Sequence, residues 1–429
     1  MENIGAFLGF WERGAQKRSN FEETASRSVK RWASTTVFLS FFMILFIGSF
    51  LYWVNVCQQP LSWSPHLLSL TLGSLLREEI FASKSSEESL GECPEYFRWI
   101  HKDLEPWKHT GISREMLERA KAHAQFRLVI INGDAYVEKY KNAYQTRDVF
   151  TVWGILQLLR LYPGKVPDLE LMFSCGDRPV VKKRDYEGAN STSPPPVFHY
   201  CGDQESLDIV FPDWSFWGWA ETNIRPWNSI LEDIKEGNKR TKWINRAPYA
   251  YWKGNPYVSI AREDLMKCNV TDKYQWKTRL YVQHYWPVRT ARKCRDIKFA
   301  VEWGNTHTRQ ARAIGRAGSR YMQEKLKMKY VYDYMFHLLI EYAKLLKFEP
   351  RIPNEGKKVC AQKLASSQNG LGKRFMVESM VNSSSETLPC TMPPPFEPLS
   401  LEAFFENNEM IKRQVEMREK DSWESLKFG

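Results

Sequence analysis

Between Phe126 and Ser174 the apolar residues change period twice, and no other feature restricts the possible folds of this chain as much. Phe126 to Val137 (FRLVIINGDAYV) has the β-branched density of a strand ending in a Gly-Asp turn. Asp148 to Leu161 then places Val149, Val152, Trp153, Leu156 and Leu159 at helical spacing, and Tyr162-Pro163-Gly164 stops it. Asp168 to Ser174 (DLELMFS) is strand-like again. Strand, helix and strand at this spacing fit a parallel, doubly wound α/β sheet, whose ligands collect at the carboxyl ends of the strands. The second strand runs into Cys175-Gly176-Asp177-Arg178-Pro179, which puts Asp177 on that edge. With 17 Trp and 24 Phe, the chain can fill a large core.

Ahead of this domain, residues 33–56 form an apolar run without a single charge. At about 1.5 Å per helical residue the run spans roughly the 30 Å of a bilayer's hydrocarbon. A core helix of this length would show a polar face, and this one shows none. Arg13, Lys17, Arg18, Arg27, Lys30 and Arg31 precede the run, and no Lys or Arg follows before Arg77. The positive-inside rule therefore predicts a cytoplasmic tail (residues 1–32), an uncleaved signal anchor (33–56), a Ser-, Pro- and Leu-rich stem (57–90) and a lumenal remainder.

Three acceptor sequons, at Asn190, Asn269 and Asn382, lie beyond the anchor, as do all the cysteines except Cys57, which suits glycosylation and disulfide formation in the secretory lumen. Seven lumenal cysteines is an odd number and leaves one without a partner. The net charge is +11, of which six basic and four acidic side chains in the first 32 residues account for +2. A basic lumenal part tolerates anionic ligands, but no basic run has the density of a nucleic-acid tail. The last residues, Leu426-Lys427-Phe428-Gly429, are not an ER-retrieval tetrapeptide, which favours a Golgi over an ER membrane.

Further along, Pro212-Asp213-Trp214-Ser215-Phe216-Trp217-Gly218-Trp219 packs three Trp and one Phe into six positions. Such a loop is either core or a platform on which a sugar or peptide stacks. Tyr251-Trp252-Lys253-Gly254-Asn255-Pro256 reads as a strand entering a tight turn, where a Lys and free N–H groups meet a phosphate. Residues 311–346 are helical, with Tyr334, Leu338, Tyr342 and Leu345 on one packing stripe. Residues 366–395 are Ser-, Gly- and Pro-rich and read as disordered, before a charged, helical tail. No P-loop, G-x-G-x-x-G, H-E-x-x-H, paired C-x-x-C or Asp-x-Asp occurs, so no metal is expected. Asp168-Leu169-Glu170 comes nearest, and a strand pattern accounts for it.

Four segments carry a resemblance: Val166-Pro167-Asp168-Leu169-Glu170 with Cys175-Gly176-Asp177-Arg178-Pro179; Asp208 to Trp217 (DIVFPDWSFW); Tyr251 to Asn255 (YWKGN); and His284-Tyr285-Trp286-Pro287-Val288. From about Cys93 to Pro353 the chain resembles the CAP10-domain family, which contains the protein O-glucosyltransferases and the plant rumi homologues. The resemblance implies a GT-B-like α/β fold of two Rossmann-like halves, a UDP-sugar donor and inversion without a metal or other cofactor. It also implies an acceptor hydroxyl on a protein serine or a cell-wall glycan. By the same resemblance Asp177 is the general base, Trp214, Ser215, Phe216 and Trp217 contact the acceptor, and Lys253, Gly254 and Asn255 lie on the donor side. An Arg stands at the Lys253 position in the animal enzymes, and Lys cannot make Arg's bidentate fork.

One departure from the family is large. Trp276 to Gln283 and His284 to Pro287 are adjacent here, whereas the family separates them by a strand, a Gly-containing loop and a helix with a cysteine that line the donor pocket. A β-α-β unit takes about 30 residues or more, so the gap between Gln283 and His284 removes a crossover from the donor half and leaves that half truncated. The sequence thus supports two readings: a transferase, or a catalytically inactive, splice-type lumenal binding or regulatory protein.

Overall fold

The computed structural model describes residues 91–188, 192–258, 260–268, 276–282 and 292–428. The tail, anchor and stem, the sequons at Asn190 and Asn269, and the join of Gln283 to His284 lie outside the described residues. Asn382 is described and exposed. Among the described residues no helix is long and apolar enough to cross a membrane.

Two short helices, α1 (Trp99–Asp103) and α2 (Arg114–Ala120), lead into the sheet, and Ser113 caps α2 by accepting a hydrogen bond from Met116 N. The run expected to be one strand is a hairpin of β1 (Phe126–Ile131) and β2 (Asp134–Lys139). Asn132 and Gly133 form its turn with φ of 52° and 78°. Asn-Gly adopts positive φ at both central positions readily, and that backbone twist matches the strands it joins. The Asp168 carboxylate caps the same turn by accepting Asn132 N at 2.7 Å.

After α3 (Arg147–Leu161) come β3 (Leu169–Phe173), β4 (Phe198–His199) and β5 (Ile209–Val210), which pair in parallel. β1 is inserted antiparallel between β2 and β3, and β8 (Lys357–Val359) closes the far edge. The order is β5-β4-β3-β1-β2-β8. β2, α3 and β3 do form the expected β-α-β crossover, but it spans β1, so the sheet is mixed and not wholly parallel. Within this sheet, among the described residues, the β3–β5 side alone offers parallel carboxyl ends.

Helix α3 is buried along most of its length, with Phe150, Trp153, Ile155 and Leu158 fully enclosed. It packs against α8 (Met328–Leu345), α9 (Ala361–Ser366) and the aromatic loop around Trp214. Tyr334, Leu338 and Tyr342 of α8 point into the core, as their stripe requires. Glu170 is a buried carboxylate in mid-sheet. Arg127 and Arg114 pair with it and Arg351 N donates to it at 2.7 Å, so its charge serves the fold.

Residues 366–395, expected to be disordered, belong to the folded body. Helix α10 (Gly370–Glu378) buries Phe375 and Met376. Val381 N donates to the buried Gln157 at 2.9 Å. A Cys93–Cys390 disulfide closes a loop of 297 residues in sequence separation. Such a bridge removes much of the freedom of the unfolded chain. The tail is a helix, α11 (Pro398–Phe428).

A second sheet has two strands only among the described residues, β6 (Ala250–Gly254) and β7 (Thr278–Val282), parallel and linked through α5 (Ile260–Leu265). Three helices accompany them: α4 (Trp227–Arg240), α6 (Arg292–Thr306) and α7 (Thr308–Lys325). A Cys268–Cys294 disulfide ties this region together. Cys175, Cys201 and Cys360 stay free, so three thiols and not one lack a partner among the described residues.

Two helical glycines give opposite predictions. A Cβ on Gly154 would lie 2.6 Å from the Trp217 ring, whereas one on Gly237 would meet nothing within 4 Å. In urea denaturation, Gly154→Ala should lose about 1–3 kcal/mol to overpacking. Gly237→Ala should gain about 0.5–1 kcal/mol by restricting the unfolded chain.

Candidate active site

Three loops leave the carboxyl ends of β3, β4 and β5 side by side. The first, Ser174-Cys175-Gly176-Asp177, carries the Asp177 side chain into solvent at 82% exposure. One of its oxygens is fixed by Arg147, whose Nη1 lies 2.8 Å from Asp177 Oδ1 and which is itself 5% exposed. Arg147 also donates to Cys175 O at 3.0 Å. Its guanidinium lies 4.5 Å from the Trp214 ring centre, 5.1 Å from that of Tyr144 and 5.7 Å from that of Trp219. Each face is within cation–π range. One oxygen of the carboxylate is therefore oriented and the other is left to accept a proton, which is the geometry a general base needs.

Sequence reasoning missed Arg147 and Tyr144, and had Trp219 only as one ring of the aromatic loop. One signal was available for the arginine: it occupies the first position of α3, where the helix dipole disfavours a cation. A charge placed there has a partner elsewhere.

The second loop follows His199, which is fully buried and whose Nε2 has no hydrogen-bond partner among the described residues. Burial pushes its pKa below the ordinary value, against the pull of the Asp208 and Asp177 carboxylates. Asp208 is raised, also by burial, while Val180 N (3.0 Å) and Val181 N (2.9 Å) donate to it and oppose the rise. The Tyr200 hydroxyl lies 2.6 Å from Thr151 Oγ1 and donates to Cys175 Sγ at 3.3 Å, which couples the second loop to the first.

The third loop is the aromatic one. Asp213 Oδ1 accepts Ser215 N at 2.8 Å and caps a single 3₁₀ turn, Trp214–Phe216. The expected platform divides here. Trp217 is fully buried against Gly154 and donates Nε1 to Tyr332 Oη at 2.9 Å, so it has no surface to offer an acceptor. Trp214 is buried beneath Arg147. Ser215 and Phe216 are half-buried, and Phe216 borders an open cavity of about 1190 Å³ that Tyr200 and Asp213 also line.

Lys253, Gly254 and Asn255 sit at the end of β6 in the second sheet. Lys253 is exposed, and Asn255 Oδ1 accepts Tyr257 N at 3.0 Å to hold the turn. No hydrogen bond or ion pair among the described residues ties this turn to the Asp177 loop.

With this geometry the chain can be set beside known proteins. The profile of Glycosyl transferase family 90 matches residues 88–283 and 281–419, and the chain belongs to that family. The two matches meet at residues 281–283, where the sequence reading places the missing segment. Among similar proteins is an O-glucosyltransferase rumi homolog of Aedes aegypti, 21% identical over 354 residues, covering 64% of this chain and 84% of the relative. That alignment is longer than the 64% of the chain it occupies, so the relative carries stretches with no counterpart here. Protein O-glucosyltransferase 2 of Danio rerio is 21% identical over 334 residues, covering 61% of this chain and 64% of the relative. Human Protein O-glucosyltransferase 1 is 24% identical over 205 residues, covering 43% of this chain and 49% of its own length. Against the latter two relatives the chain spans about half to two thirds of their length.

Asp103 lines the cavity, and burial pushes its carboxyl up to about 7, with Val210 N donating to it and opposing the rise. The unfolded value is about 3.9, so the folded chain takes up this proton first. Stability from this group is therefore present at low pH and lost as pH rises through about 7. Asp103→Asn, which keeps an acceptor for Val210 N, should be about 1–2 kcal/mol more stable than the native chain at pH 8. Denaturant titration at a series of pH values should show that advantage vanish near pH 4.

Proposed function

We propose that the chain is built to transfer glucose or xylose from a UDP-sugar to a hydroxyl, on a protein serine or a cell-wall glycan, with inversion and with Asp177 as general base. The observation that supports this most directly is the Arg147–Asp177 pair at the carboxyl end of β3 in a member of a glycosyltransferase family. The free oxygen of Asp177 takes the proton of the acceptor hydroxyl. The hydroxyl oxygen then bonds to the anomeric carbon from the face opposite UDP, and the bond from that carbon to the diphosphate breaks. The exposed Lys253 is suited to offset the charge that builds on the diphosphate. Two Rossmann-like halves of GT-B type would bring the β3–β5 edge and the β6 turn to face each other. The reaction as proposed uses no metal. An anchor over residues 33–56 would hold the domain in the lumen of the Golgi or ER.

A second reading is favoured by a specific observation. The family match breaks at 281–283, and the second sheet has two strands among the described residues. In that reading the chain keeps the acceptor-facing half, no longer holds the donor, and works as a lumenal binding or regulatory protein.

Calorimetric titration with UDP separates the two, run beside a version with the family's segment restored between Gln283 and His284. Binding by both, weakened by Lys253→Ala, supports the transferase. In that case Asp177→Asn should lower kcat roughly 10²–10⁴-fold with little change in UDP affinity. Binding by the restored version alone would overturn the transferase reading for this chain.

A further inference from the structure

We infer that the cavity beside the Asp177 loop is a binding groove for a neutral glycan chain several sugars long. It opens at the ends of β4 and β5, between α1, the start of α8 and the first turns of α11. At about 1190 Å³ it exceeds the range of roughly 300–1,000 Å³ usual for a single small ligand.

Its walls are aromatic. Tyr96, Trp99, Phe216 and Phe405 line it from three separate stretches of chain. Trp99 is held by ring contacts to Phe396 at 5.1 Å and Phe405 at 6.2 Å. Rings fixed in this way offer flat, rigid faces to the apolar side of a pyranose. Between them lies Tyr334, at 8% exposure. Its hydroxyl has no hydrogen-bond partner among the described residues. A hydroxyl left this way at the floor of a groove is poised to bond to a ligand.

The charges decide which ligand. Seven carboxyl side chains line the groove against two lysines, Lys102 and Lys183, within a chain whose net charge is +11. This disfavours diphosphates and uronate-rich glycans in the groove. Most of these carboxylates already hold a backbone N–H or a lysine, which offsets part of the charge a cationic peptide would need and still leaves lone pairs that accept from a hydroxyl. Asp208 accepts from Val180 N and Val181 N, Asp213 from Ser215 N, Asp203 from Glu205 N and Asp103 from Val210 N. Glu105 is paired with Lys102. What remains is a set of lone pairs suited to the hydroxyl hydrogens of a neutral sugar.

The groove adjoins the candidate base. Cys201 donates its thiol to Asp177 O at 3.8 Å, and its neighbours Tyr200 and Gly202 line the groove. Glycan binding requires no sugar transfer, so it stands whichever reading of catalysis holds, and titration with UDP tests that reading separately.

The test is titration of the purified full chain, without donor, with neutral β-1,4-linked xylo- and gluco-hexasaccharides, a galacturonate hexamer and hexalysine. The expected result is binding of a neutral hexasaccharide and of neither charged probe. Trp99→Ala and Phe405→Ala should each weaken it roughly tenfold. Tyr334→Phe, which keeps the packing of the ring and removes only the hydroxyl, should weaken it about fivefold. Binding of hexalysine or galacturonate in preference, no binding of either neutral probe, or neutral binding that Phe405→Ala and Tyr334→Phe both leave intact would each overturn the inference.

Discussion

The buried guanidinium of Arg147 is the constraint around which the candidate site is arranged. A cation 5% exposed has given up its water, which costs several kcal/mol unless protein groups replace it. Here the replacements are the Asp177 carboxylate, the Cys175 carbonyl and the faces of Trp214, Tyr144 and Trp219. They come from the loop after β3, the loop after β5 and the approach to α3. A single side chain therefore fastens three segments that share no local sequence. The orientation of an otherwise exposed carboxylate follows from packing the arginine demands.

The same logic recurs one layer deeper. Glu170, the second residue of β3, is satisfied by Arg127 from β1, Arg114 from α2 and the backbone of Arg351. Tyr342 of α8 donates to the Glu170 carbonyl at 3.0 Å. Breaking a buried pair strands a charge, so each partner holds the others in register. β1 must therefore lie beside β3, and the crossover through α3 has to pass over it. Within the six-stranded sheet the parallel edge that can carry a ligand is confined to β3, β4 and β5, and the three loops of the site leave from those strands.

Much of this was legible in the residues. The period change marks α3 and β3, the Cys175-Gly176-Asp177 turn falls at a strand end, and the stripe on α8 faces the core. The hairpin carried its own signal in Asn132-Gly133, but an apolar run on both sides made one long strand equally plausible. Insertion of β1 between β2 and β3 is a non-local pairing that no window of sequence contains. Trp217 looks like a platform residue until Gly154 is seen to leave the space its ring fills. Residues 366–395 look disordered by composition. Their order comes from Cys93, Gln157 and Asp333, whose side chains meet them from far along the chain.

Among the described residues the two sheets differ in how well they are covered. Parallel sheets are normally covered on both faces. In the two-stranded sheet, by contrast, Tyr251 and Tyr281 are 68% and 53% exposed, with ring centres 5.2 Å apart. The family match breaks at the end of β7. Yet every group that fixes Asp177 lies between Tyr144 and Trp219, in the part of the chain built on the six-stranded sheet. A segment missing from the second sheet would take none of those contacts with it. The contacts that orient Asp177 and the β6 turn are therefore built independently in this fold. In the β6 turn Lys253 carries an exposed charge with no ion pair among the described residues, so the proposed donor role of that turn draws on none of the packing that orients Asp177.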